Sequence, residues 1–290
     1  MFHVEHHSDL NKQSETLFLK TKDFLVSGKT FELHWNAEKD ILLTSPKPAA
    51  EALPLYYQSE SYISHTDSKK GLFDKLYQWV KSYSLGKKVR LIHKFNGGYG
   101  SVLDVGAGTG EFLKRAQSKG WEIAGIEINE LARDISQKKG IPLLSSWEHL
   151  PEKQFDVITL WHVIEHLPDL DEALLKISNH LKRNGVLIIA APNFNSYDAK
   201  HYSQFWAAYD VPRHLWHFSK KGIVRLFRRE MKLIAVRPML FDSFYVSLLS
   251  EKYKTGRTFS LKALWIGLLS NLSGMRSKEY SSHTYLFKKV

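Results

Sequence analysis

The chain has 290 residues with 43% hydrophobic and 24% charged side chains, which excludes disorder, and no apolar run approaches the ~18 residues of a membrane span. It contains no cysteine, so disulfides, thiolate zinc sites, iron–sulfur ligation and cysteine nucleophiles are all removed. The 41 Lys and Arg against 30 Asp and Glu leave +11, a basic balance that suits anionic partners without choosing among them.

In chain order, the start MFHVEHHSDLNKQ has neither a basic region nor an apolar stretch and reads as no secretory signal, which predicts a cytoplasmic protein. KDFLVSGKTFELHWNAEKDILLTSPKP follows as a small β unit closed by two prolines, and KKGLFDKLYQWVKSYSLGKKVRLIHKF as an amphipathic helix. From 101 to 190, short apolar runs alternate with helical spacing. The runs at 101–105, 121–127, 141–144, 155–160 and 185–190 are of strand length and suit strands buried on both faces of a parallel sheet. The helices between them end at Gly120 and Gly140, and DLDEALLKISNHLKRNG runs from acids to Lys182, Arg183 and Gly185, in line with the helix dipole. This order predicts an α/β, Rossmann-like doubly wound sheet. Beyond it come an aromatic and histidine-rich stretch at 193–219, a helix at 219–230, a strand at 231–238, an apolar insertion within 240–280 and a last strand, SSHTYLFKK.

VLDVGAGTGEFL, residues 102–113, carries the ligand class. A buried strand delivers Asp104, and then Gly106, Ala107, Gly108 and Gly110 let the backbone approach a ligand before a helix begins. A dinucleotide fingerprint would place its third glycine at 111, where Glu111 would repel a pyrophosphate. Glu127, with Ile128 after it, ends the second strand 19 residues beyond Gly108, where a carboxylate can accept both hydroxyls of a ribose.

The spacing resembles the Class I S-adenosylmethionine (SAM) methyltransferases. The resemblance implies a seven-stranded sheet, SAM as cofactor with S-adenosylhomocysteine as product, the glycine loop around the methionine part, and Asp104 near its ammonium. It places adenine contacts at Ser146 and Trp147. TLWHVIEHLPD, 159–169, resembles the post-strand motif of ubiquinone-biosynthesis-type methyltransferases, with Trp161 and His162 lining the cofactor and Glu165 and His166 on the acceptor side. HVIEH is not a zinc helix, because its acid adjoins the second histidine and Pro168 stops the helix, so no metal is expected. The absence of a [DN]-P-P-[YF] motif argues against adenine or glutamine as acceptor. The absence of cysteine argues against cytosine C5, and nucleic acid is therefore not the expected partner.

YDVPRHLWHFS, 209–219, resembles the D-P-P-R-H-L-x-H-F-S segment of methyltransferases linked to polysaccharide and natural-product genes. By that resemblance His214 is the first candidate for a general base, with His166 next, while Arg213 and His217 are candidates for acceptor binding. A structural network that pins the loop is the other reading of Arg213, His214 and His217. DFLVSG followed by ILLTSPKPAAEALPLYYQSESYISH resembles a zinc-ribbon leader of related methyltransferases, with Phe24 and Ser27 at its cysteine positions. This implies a metal-free cap over 1–70 ahead of a methyltransferase domain over 71–290, with Tyr56, Tyr57, Tyr62 and His65 on a segment able to close over SAM.

The 240–280 insertion combines apolar helical spacing with six basic residues. It reads as a lid or homodimer contact, or as a peripheral contact with an anionic membrane. The expected activity is methyl transfer to a small-molecule or saccharide-type acceptor, as in polysaccharide or quinone-like biosynthesis. A SAM-binding module without turnover and an RNA methyltransferase are the alternatives.

Overall fold

The computed structural model describes residues 13–49, 51–57 and 72–290. Its centre is a six-stranded sheet that starts from the run at 101–105. All five residues of β4 (Ser101–Val105) are buried, because helices cover both faces of the strand. β5 (Glu122–Ile126) and β6 (Phe155–Trp161) flank it in parallel, and β7 (Leu181–Pro192) runs parallel to β6. β9 (Met231–Pro238) and β10 (Ser282–Lys289) complete the order β5-β4-β6-β7-β10-β9, with β10 antiparallel to both its neighbours.

Two sequence expectations change here. The run at 141–144 contributes a single parallel bridge, Ile126 to Leu144, in place of a seventh strand. Pro142 removes a ladder donor from a four-residue run, and only Leu144 exchanges backbone bonds with Gly125 and Glu127, both 2.9 Å. The helix expected to reach Gly185 stops at His180. Leu181 is fully buried opposite Phe155 and already belongs to β7, so burial of one leucine outweighs the helical pattern of LKRNG.

The connecting helices place the ligand-facing loops. α1 (Leu72–Asn96) leads into β4, and α2 (Glu111–Gln117) begins directly after the glycine loop. α3 (Glu130–Lys138) is capped by the Asn129 side chain, which accepts from the Ala132 N–H, and α4 (Leu170–His180) is capped in the same way by Asp169. After β7 come α5 (Tyr197–Tyr202), β8 (Trp216–Phe218) and α6 (Lys220–Phe227). Between β9 and β10 the insertion folds as two helices in mutual contact, α7 (Asp242–Thr255) and α8 (Leu261–Ser277).

A second sheet joins the N-terminal unit to the rest of the chain. β1 (Gln13–Lys22), β2 (Thr30–Asn36) and β3 (Ile41–Ser45) form an antiparallel meander, and β3 pairs with β8 through Ile41–Phe218, Leu42–His217 and Leu43–Trp216. Part of the histidine-rich segment is therefore an edge strand of the N-terminal sheet. At the turn from β1 to β2, where the ribbon resemblance puts Phe24 and Ser27, Asp23 supplies the local order. Its carboxylate accepts from the N–H groups of Leu25, Val26 and Ser27 and from the Ser27 hydroxyl. Phe24 stacks on Tyr253 of α7 at 4.7 Å.

Candidate active site

Three glycines shape the loop between β4 and α2, each at positive φ, but for different reasons. A Cβ on Gly106 would lie 2.4 Å from Val163, and one on Gly110 would lie 2.2 Å from Ser136 Oγ, so these two let chain segments pack closely. A Cβ on Gly108 would meet no protein atom within 4 Å, so this position faces open space at the strand mouth. The Gly106 and Ala107 N–H groups donate to the Ile126 carbonyl at 2.8 and 3.0 Å, which locks the loop to the end of β5.

Glu127 follows β5 immediately. Its Oε2 accepts from the Gly108 N–H at 2.8 Å and its Oε1 from the Asn129 N–H at 2.9 Å. A carboxylate has about four acceptor sites, so lone pairs remain for a diol. Ile128 beside it is 79% exposed, an apolar surface next to that carboxylate. The buried indole N–H of Trp161 has no acceptor, and its ring lies edge-on to Phe112 at 5.7 Å. An open glycine, a diol-ready carboxylate, an exposed apolar side chain and an orphaned donor fit SAM.

Other residues expected around the cofactor are placed differently. Asp104 is only 2% exposed and accepts from the Thr159 hydroxyl at 2.5 Å, so it sits beneath the loop instead of at its mouth. Burial pushes its pKa up to about 7, against the Thr159 bond and the Lys88 charge, which pull it down. Lys88 of α1, with its ammonium 4.2 Å above the Trp161 ring, was not singled out by sequence because one lysine in a basic helix carries no signal. The Ser146 hydroxyl pairs with His149 Nδ1 at 2.9 Å, and Trp147 packs against the core and the His180 ring at 5.6 Å.

His162 adopts φ 58 directly after β6, a left-handed position that turns its ring between two acids. Its Nε2 is 3.2 Å from Asp242 at the start of α7, and its Nδ1 is 3.5 Å from Glu165. Burial opposes its charge, but the two carboxylates prevail and push its pKa up to about 10. His162 is thus a cation bridging the β6 loop and the insertion.

Glu165 and His166 lie on a short turn, Ile164–His166, and His214 reaches them from the loop before β8. The His166 and His214 rings meet edge to face at 4.5 Å. His214 Nδ1 is 2.9 Å from the Ala208 carbonyl, which can only accept, so Nδ1 carries a proton and the neutral ring keeps its lone pair on Nε2, 4.0 Å from Asp210 Oδ2. His166 Nδ1 is 3.1 Å from the Arg213 carbonyl and 3.0 Å from the Tyr57 hydroxyl, and the same reasoning leaves its Nε2 bare. Both Glu165 oxygens are buried without a hydrogen bond, since 3.5 Å to His162 is ion-pair spacing only. Burial would favour a neutral acid, but His162 and the neighbouring imidazoles hold the Glu165 carboxyl below its usual range. Burial and the neighbouring His214 push His166 down to about 4, so it is neutral near pH 7.

One atom each from Glu165, His166 and His214 lie within 4.8 Å of one another. The His162 cation beside Glu165 opposes a divalent ion there. A cavity of about 10 Å³, the size of one water, is lined by Glu165, His214, Trp216 and His217 among others.

Arg213 and His217 take the arrangement of the structural-network reading. Arg213 is 1% exposed and spends its donors on Asp210, Asp23 and the Tyr56 carbonyl, so it ties the loop to the N-terminal sheet. His217 is buried, 2.9 Å from the Thr44 hydroxyl, which in turn donates to the His214 carbonyl at 2.6 Å. Burial, then His214, lower its pKa well below the usual value. Both belong to the network that pins the loop. Tyr62 and His65 lie outside the described residues.

The model of the family described as a methyltransferase domain matches residues 63–230, more than half of the chain. The chain belongs to this methyltransferase-domain family. Among curated relatives, the ubiquinone biosynthesis O-methyltransferase of Paramagnetospirillum magneticum is 31% identical over 116 residues, 37% of this chain and 46% of the relative. The enzyme of the same name from Rickettsia prowazekii is 31% identical over 100 residues, 32% of this chain and 40% of the relative. The chain thus spans less than half the length of these curated relatives. Geranyl diphosphate C-methyltransferase of Streptomyces coelicolor shares the fold, with a TM-score of 0.53 at 11% identity over 78% of this chain and 88% of that one. The glycine loop, Glu127 and the Glu165–His166 turn all fall inside the matched methyltransferase domain.

Proposed function

We propose that this methyltransferase-domain chain transfers a methyl group from SAM to a hydroxyl of a small molecule, with His214 as general base. The observation that supports the base is the bare Nε2 of His214, set beside a buried carboxylate that lacks a hydrogen-bond donor. SAM supplies an activated methyl group on sulfur. Gly108 and Glu127 hold it at the mouth of β4 and β5, and positioning supplies most of the rate. As the acceptor oxygen takes the methyl group, its proton passes to His214 Nε2, directly or through one water in the small cavity. The carboxylate of Glu165 then stabilises the imidazolium. His166, pushed down to about 4, is too weak a base to compete near neutral pH.

An O-methyl acceptor agrees with the names of the curated relatives, and a phenolic or saccharide hydroxyl satisfies the same chemistry. The test begins with labelled SAM and fractionated cell extract to find the acceptor. On that acceptor, His214→Gln is expected to lower transfer by ~10²- to 10⁴-fold with unchanged SAM affinity, and His166→Gln to lower it far less. Near-full turnover of His214→Gln would overturn the assignment. SAM binding without label transfer to any fraction would instead favour a binding module, and label in RNA would favour the nucleic-acid alternative.

A further inference from the structure

The α7–α8 hairpin turns small residues toward the protein along much of α8 and leaves a large apolar stripe outside. The side of α8 that meets the protein carries Ala263, Gly267, Ser270 and Gly274 together with Ile266. A Cβ on Gly267 would lie 2.8 Å from the Phe244 ring, and one on Gly274 would lie 2.6 Å from the Tyr280 ring, so small residues are needed for that approach. The inward residues of α7 include Ser243, Ser247 and Ser250. Val246, Leu249, Tyr253 and Leu269 also pack inward, but five large apolar side chains of α8 point the other way. Leu261, Trp265, Leu268, Leu272 and Met275 recur at spacings of four and three, which forms one stripe, and they are 73, 58, 39, 50 and 62% exposed. A water-facing helix would normally bury this stripe, whereas small residues inside and large apolar ones outside is the arrangement used in lipid.

Charge separates lipid from a second copy of the chain. Between 239 and 278, Lys252, Lys254, Arg257, Lys262, Arg276 and Lys278 are all exposed, while the acids there, Asp242 and Glu251, are not. Glu251 is 4% exposed, and Asp242 is engaged with His162 at 3.2 Å. A two-fold dimer through this face would set cations against cations with no acidic partner. An anionic bilayer supplies both an apolar layer and negative charge. No helix among the described residues is long and apolar enough to cross a membrane, so contact would be in the plane of the surface.

We infer that the outer face of the α7–α8 hairpin docks this protein on an anionic lipid bilayer. The His162–Asp242 pair sets the start of α7 beside the candidate active site, so docking would bring that site near the membrane surface. The inference goes beyond the proposed reaction, and its test needs neither SAM nor acceptor.

The full chain is mixed with vesicles of phosphatidylcholine alone or of equimolar phosphatidylcholine and phosphatidylglycerol, and co-sedimentation is measured at low and high salt. Binding is expected to the mixed vesicles only, to weaken with salt, and to shift Trp265 emission to the blue, a change that Trp265→Phe removes. Replacing Lys252, Lys254 and Arg257 by Gln is expected to weaken binding ~5-fold per charge. Combined Trp265→Ser, Leu268→Ser and Leu272→Ser is expected to abolish binding while circular dichroism and the melting temperature hold, since these side chains are exposed. No binding to mixed vesicles at low salt, or equal binding by the serine variant, would overturn the inference. So would a wild-type dimer that the serine variant converts to monomer, which would assign the face to a second copy.

Discussion

A glycine motif looks uniform in sequence, but its three positions do separate work. Gly106 and Gly110 are crowded by Val163 and by Ser136, and only Gly108 opens toward a ligand. Gly106→Ala is expected to destabilise the fold through overlap and positive φ together. Gly108→Val meets no protein atom but is strained at φ 53, so it is expected to destabilise the fold less than a crowded position would and to block SAM. Glu127→Ala is expected to lower SAM affinity about ten- to hundredfold, the range of hydrogen bonds to a charged group. Calorimetry with SAM, alongside melting temperatures, tests this division, and equal SAM affinity in the Gly108 and Glu127 variants would sink the cofactor site. The loop and Glu127 were legible because strand, glycine spacing and acid stand close together in sequence. For Arg213 and His217 the sequence left acceptor binding and a loop-pinning network both open. Asp210, three residues before Arg213, was a local hint of its engagement, but Asp23 and Thr44, which complete the network, are 190 and 173 residues from their partners and show in no local pattern.

At the scale of elements, burial decided where the sequence pattern was ambiguous. β4, β6 and the later part of β7 could be read as mainly apolar runs, whereas Pro142 cut the third run and Leu181 drew the end of a helical pattern into a strand. The insertion was legible as apolar and basic, but not its outward apolar stripe, because which face turns inward depends on Phe244 and Tyr280. Its tether to the core is a titratable link. The folded pKa of His162 is raised from 6.5 to about 10, so the stability it contributes is fully present below pH 6.5 and is lost as pH rises toward 10. Wild-type protein is therefore expected to lose melting temperature between pH 6.5 and 10 more steeply than His162→Gln does. Identical slopes in the two proteins would show that the link to Asp242 and Glu165 holds nothing in place.

For the whole molecule, the N-terminal sheet and the methyltransferase domain share strand pairing and a core cluster. The sequence suggested a cap ending near residue 70, but β3 depends on β8 for its second neighbour, and Ile41 packs in the same core cluster as Leu103 and Leu187. Asp40 accepts two hydrogen bonds from Arg225 of α6, both at 2.8 Å, and Arg213 closes the junction between Asp23 and Asp210. Arg213 and Asp23 are 1% exposed, so removing the cation leaves a buried carboxylate without its counter-charge. Arg213→Met should cost about 3–5 kcal/mol, as expected for breaking a buried pair by losing one partner. Arg213→Lys should recover little of it, because one ammonium cannot serve Asp210 through two atoms while also reaching Asp23 and the Tyr56 carbonyl. Because the junction lies inside a shared core, wild-type protein is expected to unfold in a single calorimetric transition that each variant moves to lower temperature without splitting. Two transitions in the wild type, with only one of them shifted by Arg213→Met, would show instead that the N-terminal sheet folds by itself and merely leans on the loop that carries His214.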